Sequence, residues 1–211
     1  MGVYRIYGHA GWGSALIEAQ FAWYGLAFES VDAGDLFEDE AALGKIKKLN
    51  PAGQVPVLVL PNGDVLTESA AITLWLSEEQ GSDDLVPAPG AADRARFLRW
   101  LLFIVSNIYP AYTYMDDPAR FVSVESARDG FAEAVCDRAK NLYLALNGQA
   151  TGPWFLGDRL SAIDIYICAM THWLPRRPWF EENTPALISI ADAAKRVERF
   201  GDVWTRNYPD K

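Results

Sequence analysis

The stretch from Asn50 to Ile72 constrains the fold more than any other part of this sequence. It reads NPAGQVPVLVLPNGDVLTESAAI and places a proline inside an apolar, β-branched run that is typical of a strand. Proline removes a donor from the strand ladder, so we expect a strand that begins at Pro56, or a backbone that faces something other than a strand there. The Asn62-Gly63 pair then predicts a hairpin turn with two positive φ angles.

A helix is predicted to open at Thr67-Glu68-Ser69, and together with the proline it suggests a ligand site. If the Val55–Pro56 bond is cis, the N–H and C=O of Val55 turn outward and can pair with an extended ligand. A helix N-terminus attracts a carboxylate, and Glu68 could pair with an ammonium group. A ligand with both groups is an amino acid or a peptide. A strand start followed by a capped helix explains the same residues without a ligand.

Composition narrows the class of protein. The chain has 211 residues, half of them hydrophobic, which allows one large or two small domains. Twenty-eight acidic residues against 19 basic ones give a net charge of −9, which disfavours binding to nucleic acid. No apolar run reaches the roughly 20 residues that span a bilayer, and no signal-peptide pattern is visible, so we expect a cytoplasmic protein. Cys136 and Cys168 are expected to be reduced structural thiols.

Hydrophobic patterning divides the chain into two halves joined by a short linker. Residues 1–80 alternate as strand, helix, strand, helix, strand, strand and helix, which predicts an α/β domain with a mixed sheet. Residues 81–90 have the composition of a linker. Residues 91–211 lose the strand pattern and predict an all-α domain, a bundle of helices. Within it, helices are expected over 91–109, 124–147, 161–174 and 185–200.

Two motifs resemble one known family. NPAGQVPVL followed by TESAAI resembles the glutathione-binding half-site of the cytosolic glutathione transferases. FLGDRLSAIDI, at Phe155–Ile165, resembles the N-capping box that opens a buried helix in that family's C-terminal domain. The resemblance spans essentially the whole chain. It implies a thioredoxin-like N-terminal domain, a helical C-terminal domain, glutathione as the cosubstrate and a homodimer.

The resemblance also implies how glutathione is held. Val55, next to Pro56, pairs with the cysteinyl backbone, and Glu68 and Ser69 hold the γ-glutamyl end. The candidates for the glycyl carboxylate are Lys45 and Lys48, with Gln54 as a neutral helper.

The residue that activates the thiol is less clearly marked. The family uses a Tyr, Ser or Cys near the end of the first strand or the start of the first helix, because the thiolate is the nucleophile. No Ser or Cys stands where the serine and cysteine classes have one, and Trp12 and Gly13 occupy that neighbourhood. The candidates are Tyr7, Ser14 and the backbone N–H groups around Trp12. Tyr7 could instead pack beside the sheet, and Ser14 could be the N-cap of the first helix.

A second-substrate pocket is expected between the domains. The segment Ile108–Met115 is dense in aromatic residues, which suit a half-open apolar pocket, with Trp12 as an opposite wall. Core or dimer packing explains the same residues. His9 is expected to be a solvated loop residue or a second-substrate contact. Ser161 and Asp164 are expected to be structural, because a capping box satisfies the free N–H groups of a helix start.

Two functions follow from the resemblance. One is an enzyme that activates the glutathione thiol for attack on a hydrophobic electrophile. The other is a ligand-binding or protein-interaction scaffold without turnover, which the absence of the usual Ser or Cys keeps open. Maleylacetoacetate isomerase and cysteine-based activities are disfavoured, because the first loop lacks the residues that they use.

Overall fold

The computed structural model describes residues 2–209, in two compact units. One unit comprises residues 2–88 with 193–209, and the other comprises residues 89–192. The first unit contains all four strands that the structure describes, and the second is helical. Residues 193–209 therefore pack with the first unit, whereas the sequence pattern grouped them with the helical domain.

The order of elements in the first unit is the one that the sequence predicted. The strands are β1 (Tyr4–Gly8), β2 (Phe28–Asp32), β3 (Val57–Val59) and β4 (Val65–Leu66), and the helices between and after them are α1 (Ser14–Tyr24), α2 (Glu40–Lys47) and α3 (Ser69–Glu79). The sheet order is β2-β1-β3-β4. β1 pairs with β2 in parallel and with β3 antiparallel, so the sheet is mixed as expected.

Each face of the sheet buries its own apolar cluster. On one face, Ile6 and Leu58 pack against side chains of α1 and α3. On the other face, Val57 and Val59 pack against Ala42 and Ile46 of α2, with Tyr7 and Trp12 at the edge of the cluster. Successive residues of a strand point to opposite faces, which explains why Ile6 and Tyr7 belong to different clusters.

The hairpin between β3 and β4 differs from the expected turn. Only Gly63 has a positive φ, of 94°, so the expectation of two positive φ angles is wrong. Pro61 fixes its own φ near −65° and favours a turn in which only the later glycine is left-handed. The N–H of Gly63 donates to the carbonyl of Leu60 at 2.9 Å, and the N–H of Leu60 donates to the carbonyl of Asp64 at 2.8 Å.

The remaining helices include three short ones, over residues 109–116, 177–183 and 201–207, that the sequence pattern did not predict. They are α4 (Arg94–Phe103), α5 (Tyr109–Asp116), α6 (Arg128–Asn147), α7 (Ala162–Met170), α8 (Arg177–Asn183), α9 (Pro185–Lys195) and α10 (Gly201–Asn207). A π-helical turn, Ile104–Ile108, joins α4 to α5. Pro110 therefore stands in the first turn of α5, where a missing N–H costs little, and does not end the helical path.

The buried helix and its capping box are confirmed. Every residue of α7 is buried. The backbone N–H and the hydroxyl of Ser161 both donate to Oδ2 of Asp164, at 2.7 and 2.9 Å. The N–H of Phe155 donates to Oδ1 of Asp164 at 2.7 Å. Asp164 thus fixes the start of α7 and the loop before it, because three buried donors converge on one carboxylate.

Candidate functional site

The proline that interrupts the strand pattern follows a cis peptide bond. Val55–Pro56 is cis, and β3 begins only at Val57, which pairs with Tyr7 of β1. Within residues 2–209, the N–H and C=O of Val55 have no hydrogen-bond partner. The expected cis bond and unpaired backbone are therefore both present, and they offer one donor and one acceptor to an extended ligand.

The turn before Val55 is braced by a buried asparagine. Nδ2 of Asn50 donates to the carbonyl of Gln54 at 2.9 Å, and Oδ1 of Asn50 accepts from the N–H of Ala52 at 3.1 Å. Asn50 is 6% exposed, whereas Gln54 is exposed. The amide of Asn50 therefore fixes the backbone that leads into the cis bond, a role that the sequence pattern does not indicate.

The start of α3 presents a strained acidic residue. Glu68 has φ 64° and ψ 106°, is exposed, and does not cap the helix with its side chain. Its carbonyl accepts from the N–H of Ile72, so its backbone already belongs to the helix start. Ser69 is the first residue of α3 and is buried. The N-terminus of α3 thus combines the helix dipole with a carboxylate that is not committed to capping it.

The loop between β1 and α1 brings the rings of His9 and Trp12 together beside the apolar cluster of the α2 face. The rings of His9 and Trp12 meet edge to face at 5.1 Å, and Trp12 contacts Phe37 at 5.2 Å. Tyr7 is half-buried in the cluster that also contains Trp12 and Val55. The hydroxyl of Tyr7 makes no hydrogen bond with any residue that the structure describes.

His9 is a half-exposed loop residue that also makes a specific contact with β2. Its Nδ1 lies 2.9 Å from Oδ1 of Asp32, which also accepts from the N–H of Gly34. The hydrogen bond with His9 is the main reason that the pKa of Asp32 lies below its usual value, and the hydrogen bond from Gly34 lowers it further. Gly8 and Asp32 are partners in the parallel β1–β2 pair, so the ends of the two strands bring His9 and Asp32 together.

Ser14 is buried and is not the N-cap of α1. The N-cap is Gly13, and Ser14 is the first helical residue, 1% exposed. Its hydroxyl donates to the carbonyl of His9 at 3.4 Å. A Cβ on Gly8 would lie 2.0 Å from Oγ of Ser14, so the serine fits only because residue 8 is glycine. The alternative role of Ser14 as a cap is therefore wrong.

The basic candidates lie on α2 and just after it. Lys45 and Lys48 are both exposed, and neither forms an ion pair with a described residue. Lys48 is the C-cap of α2, where a positive charge complements the helix dipole.

The C-terminal helix contacts the loop that carries Trp12. Oδ1 of Asn207 accepts from the N–H of Gly11 at 3.1 Å, and Nδ2 of Asn207 donates to Oε2 of Glu18 at 3.0 Å. Arg206 donates to the same oxygen of Glu18 at 2.6 Å. α10 therefore forms hydrogen bonds with both the loop and α1.

The aromatic segment of the helical unit has two environments. The hydroxyl of Tyr112 contacts that of Tyr143 and donates to the carbonyl of Leu174 at 3.1 Å. Burial raises the pKa of both tyrosines. Tyr114 instead lines a pocket of about 440 Å³, whose other lining residues are Asn107, Ala111, Phe121, Phe131, Val135 and Arg138. This pocket is large enough for a small apolar ligand.

Comparison with known proteins decides the family. A sequence profile described as "Glutathione S-transferase, N-terminal domain" matches residues 19–79. The "Uncharacterized GST-like protein YncG" of Escherichia coli strain K12 is 35% identical over 204 residues, covering 96% of this chain and 98% of that protein. The chain belongs to the glutathione transferase family. The resemblance noted in the sequence is thereby confirmed.

Solved structures of glutathione transferases share the fold. A glutathione transferase homologue from Sulfitobacter, solved with bound glutathione, superposes with a TM-score of 0.86 at 19% identity and covers 96% of this chain and 97% of its own. A sphingomonad glutathione S-transferase complexed with glutathione has a TM-score of 0.74 at 27% identity, with coverages of 94% and 96%. The predicted thioredoxin-like domain and helical region are confirmed.

Against this glutathione transferase background, the structure adds residues that sequence reasoning missed. His9 with Asp32, and Asn207 with Gly11, pair across 23 and 196 positions. The parallel pairing of β1 and β2 was predictable and could have revealed the first pair. No local signal marks the second. None of the helices in residues 2–209 is long and apolar enough to span a membrane.

Proposed function

We propose that this glutathione transferase family member binds glutathione at the cis Val55–Pro56 bond and activates its thiol for attack on a hydrophobic electrophile. The observation that carries the proposal is the unpaired backbone of Val55, since it offers a donor and an acceptor to an extended peptide. The sphingomonad relative complexed with glutathione supports the same ligand here.

The γ-glutamyl end is assigned to the start of α3. Its carboxylate would meet the N–H groups and dipole of the helix at Ser69, and its ammonium group would meet the exposed carboxylate of Glu68. Lys45 and Lys48 are the candidates for binding the glycyl carboxylate, with Gln54 as a neutral helper. Trp12 is the candidate for contacting the cysteinyl residue of glutathione. The ammonium groups of the two lysines are exposed and form no ion pair within residues 2–209, which supports that assignment.

Tyr7 is the best candidate for the thiol donor. Its hydroxyl has no partner among the described residues, and it shares a cluster with Val55. A donor to the sulfur stabilises the thiolate once the thiol proton has left to solvent, and the sulfur lone pair then forms the bond to the electrophile as its leaving group departs. Ser14 is the weaker candidate, because its hydroxyl is buried against the carbonyl of His9.

One observation favours a second candidate function, a glutathione-binding scaffold without turnover. Ser14 is buried, and neither Cys136 nor Cys168 belongs to the unit that contains Trp12. Both functions need glutathione, and only the enzyme needs a stabilised thiolate. A homodimer in the cytoplasm is the assembly and location that we propose from the family.

Calorimetric titration with glutathione tests the shared part of the proposal. We expect saturable binding that Glu68→Gln weakens about tenfold, because an ion pair to the ammonium group is lost. Glu79→Gln removes an exposed charge from the other end of α3 and serves as the matched control, with unchanged affinity expected. An analogue of glutathione without the α-amino group should bind equally to wild type and Glu68→Gln. The absence of glutathione binding to the wild type would refute the proposal.

A further inference from the structure

The backbone of the loop from His9 to Gly13 is shaped by local hydrogen bonds. The N–H of Trp12 donates to the carbonyl of His9 at 3.0 Å, and the hydroxyl of Ser14 reaches the same carbonyl. Both contacts are local and set the shape of the loop. The hydrogen bond of His9 with Asp32 and the packing of Trp12 on Phe37 hold its two ends, and Gly11 lies between them. Gly11, with φ 81°, points its N–H away from these contacts, toward α10.

The amide of Asn207 has only one orientation that satisfies its surroundings. Its nitrogen lies 3.0 Å from Oε2 of Glu18 and 3.0 Å from the carbonyl of Val203, and both of these groups are acceptors. The NH₂ group must therefore face them, which leaves Oδ1 for the N–H of Gly11. Asn207 is 6% exposed, so water does not compete freely for these bonds.

Glu18 keeps Asn207 in place. It is 4% exposed, and its carboxylate receives the guanidinium of Arg206 at 2.6 Å and the hydroxyl of Ser30 at 3.4 Å. A buried carboxylate with several donors is held firmly, because moving any donor leaves a charge unpaired. Glu18, in α1, thus contacts Ser30 of β2 on one side and Asn207 on the other, and Asn207 in turn contacts Gly11.

We propose that Asn207 is a positioning residue for the proposed reaction: it holds Gly11, and through Gly11 sets where Trp12 and the thiol-facing edge of the loop lie. Asn207 does not touch glutathione in this account. The inference rests on the proposed function, since it concerns the loop on which the thiol would be activated. On this proposal, α10 helps to position the loop at which the thiol is activated.

Amide hydrogen exchange tests the contact without any ligand. In the wild type, the N–H of Gly11 should exchange at least tenfold more slowly than an unbonded amide. Asn207→Ala should abolish that protection while amides in the centre of α1 stay protected. An unprotected Gly11 in the wild type would overturn the proposal, and this measurement needs no variant to fold.

Arg199→Ala is the matched control for glutathione chemistry. Arg199 also ties the C-terminal segment to α1, because it donates to the carbonyl of Trp23 at 2.9 Å and lies over the Trp23 ring, at the end of α1 away from the loop. We expect Asn207→Ala to lower kcat for conjugation about tenfold and to raise the apparent pKa of the bound glutathione thiol. Arg199→Ala should lose a comparable amount of stability, but its kcat and the pKa of its bound glutathione thiol should equal those of the wild type.

Two results would contradict the role of Asn207. One is equal loss of kcat in the Asn207→Ala and Arg199→Ala variants, which would indicate general destabilisation. The other is a wild-type thiol pKa in the Asn207→Ala complex. If Asn207→Ala does not fold, Asn207→Ser takes its place, because its hydroxyl is too short to reach Gly11 but stays polar beside Glu18. Failure of the wild type to bind glutathione would refute the proposed function, while the exchange of Gly11 would still report on the contact.

Discussion

At the scale of single residues, Glu68 combines strain with exposure. A non-glycine residue at φ 64° and ψ 106° costs on the order of 1–3 kcal/mol, and the structure gives its side chain no hydrogen bond that repays the cost. Strained residues of this kind concentrate where a ligand is bound. The strain places the carboxylate beside the N-terminus of α3, where the proposed γ-glutamyl group needs it.

Asp164 is the residue on which the helical unit depends most clearly. Replacing it with Ala strands two N–H groups and a hydroxyl in the core, so we expect a loss of about 2–4 kcal/mol in the free energy of unfolding. Denaturant unfolding measures this loss. Asp158→Ala, in an exposed part of the same segment, is the control and should stay within about 0.5 kcal/mol of wild type. Similar small effects for both variants would contradict the role of the capping box.

The same carboxylate gives the stability a definite pH dependence. Burial raises the pKa of Asp164 from 3.8 to about 6, although three donors favour the charged form. The folded protein therefore binds this proton more tightly than the unfolded chain, and the contribution of Asp164 to stability falls as pH rises from about 4 to about 6. Relative to Asp164→Asn, the wild type should lose on the order of 2–3 kcal/mol across that window. A rise over the same window would contradict this expectation.

At the scale of elements, a substitution in the β3–β4 hairpin can test the effect of backbone conformation apart from that of packing. An alanine methyl group would meet no atom within 4 Å either at Gly63, where φ is 94°, or at Gly130, inside α6. Gly63→Ala should therefore cost about 1–2 kcal/mol through its backbone alone. Gly130→Ala should stabilise the protein by about 0.5–1 kcal/mol, because alanine suits a helix better. Thermal unfolding measures both, and a neutral Gly63→Ala would show that the hairpin adapts.

How far each element could be predicted follows from where its information lies. The strand that starts after Pro56, the helix at Ser69 and the capping box of α7 each carry their signal within a few residues. α10 was not predicted, because a helix of seven residues carries a weak sequence pattern and its buried partners, such as Glu18, are far away in the chain. The candidate site divides in the same way. Val55 and Glu68 were recognisable locally, whereas the partners of His9 and Gly11 come from the tertiary structure.

At the scale of the whole molecule, the charge balance opposes the proposed ligand. The chain carries a formal −9, and glutathione is itself an anion whose thiolate adds a further negative charge. The net charge therefore does not favour long-range attraction of glutathione. Recognition has to come from short-range groups: the backbone of Val55, the N-terminus of α3, and a donor to the sulfur. Of these, the donor decides between an enzyme and a scaffold.

The ultraviolet difference spectrum of bound glutathione, followed through a pH titration, tests this central claim most directly. We expect a thiolate band with an apparent pKa at least one unit below that of free glutathione in the same buffer, and Tyr7→Phe should move it back toward the free value. Ser14→Ala, which removes a buried hydroxyl at the start of α1, should leave the titration unchanged. Saturable binding without a thiolate band at any pH below the free thiol pKa would contradict the account and leave a glutathione-binding scaffold.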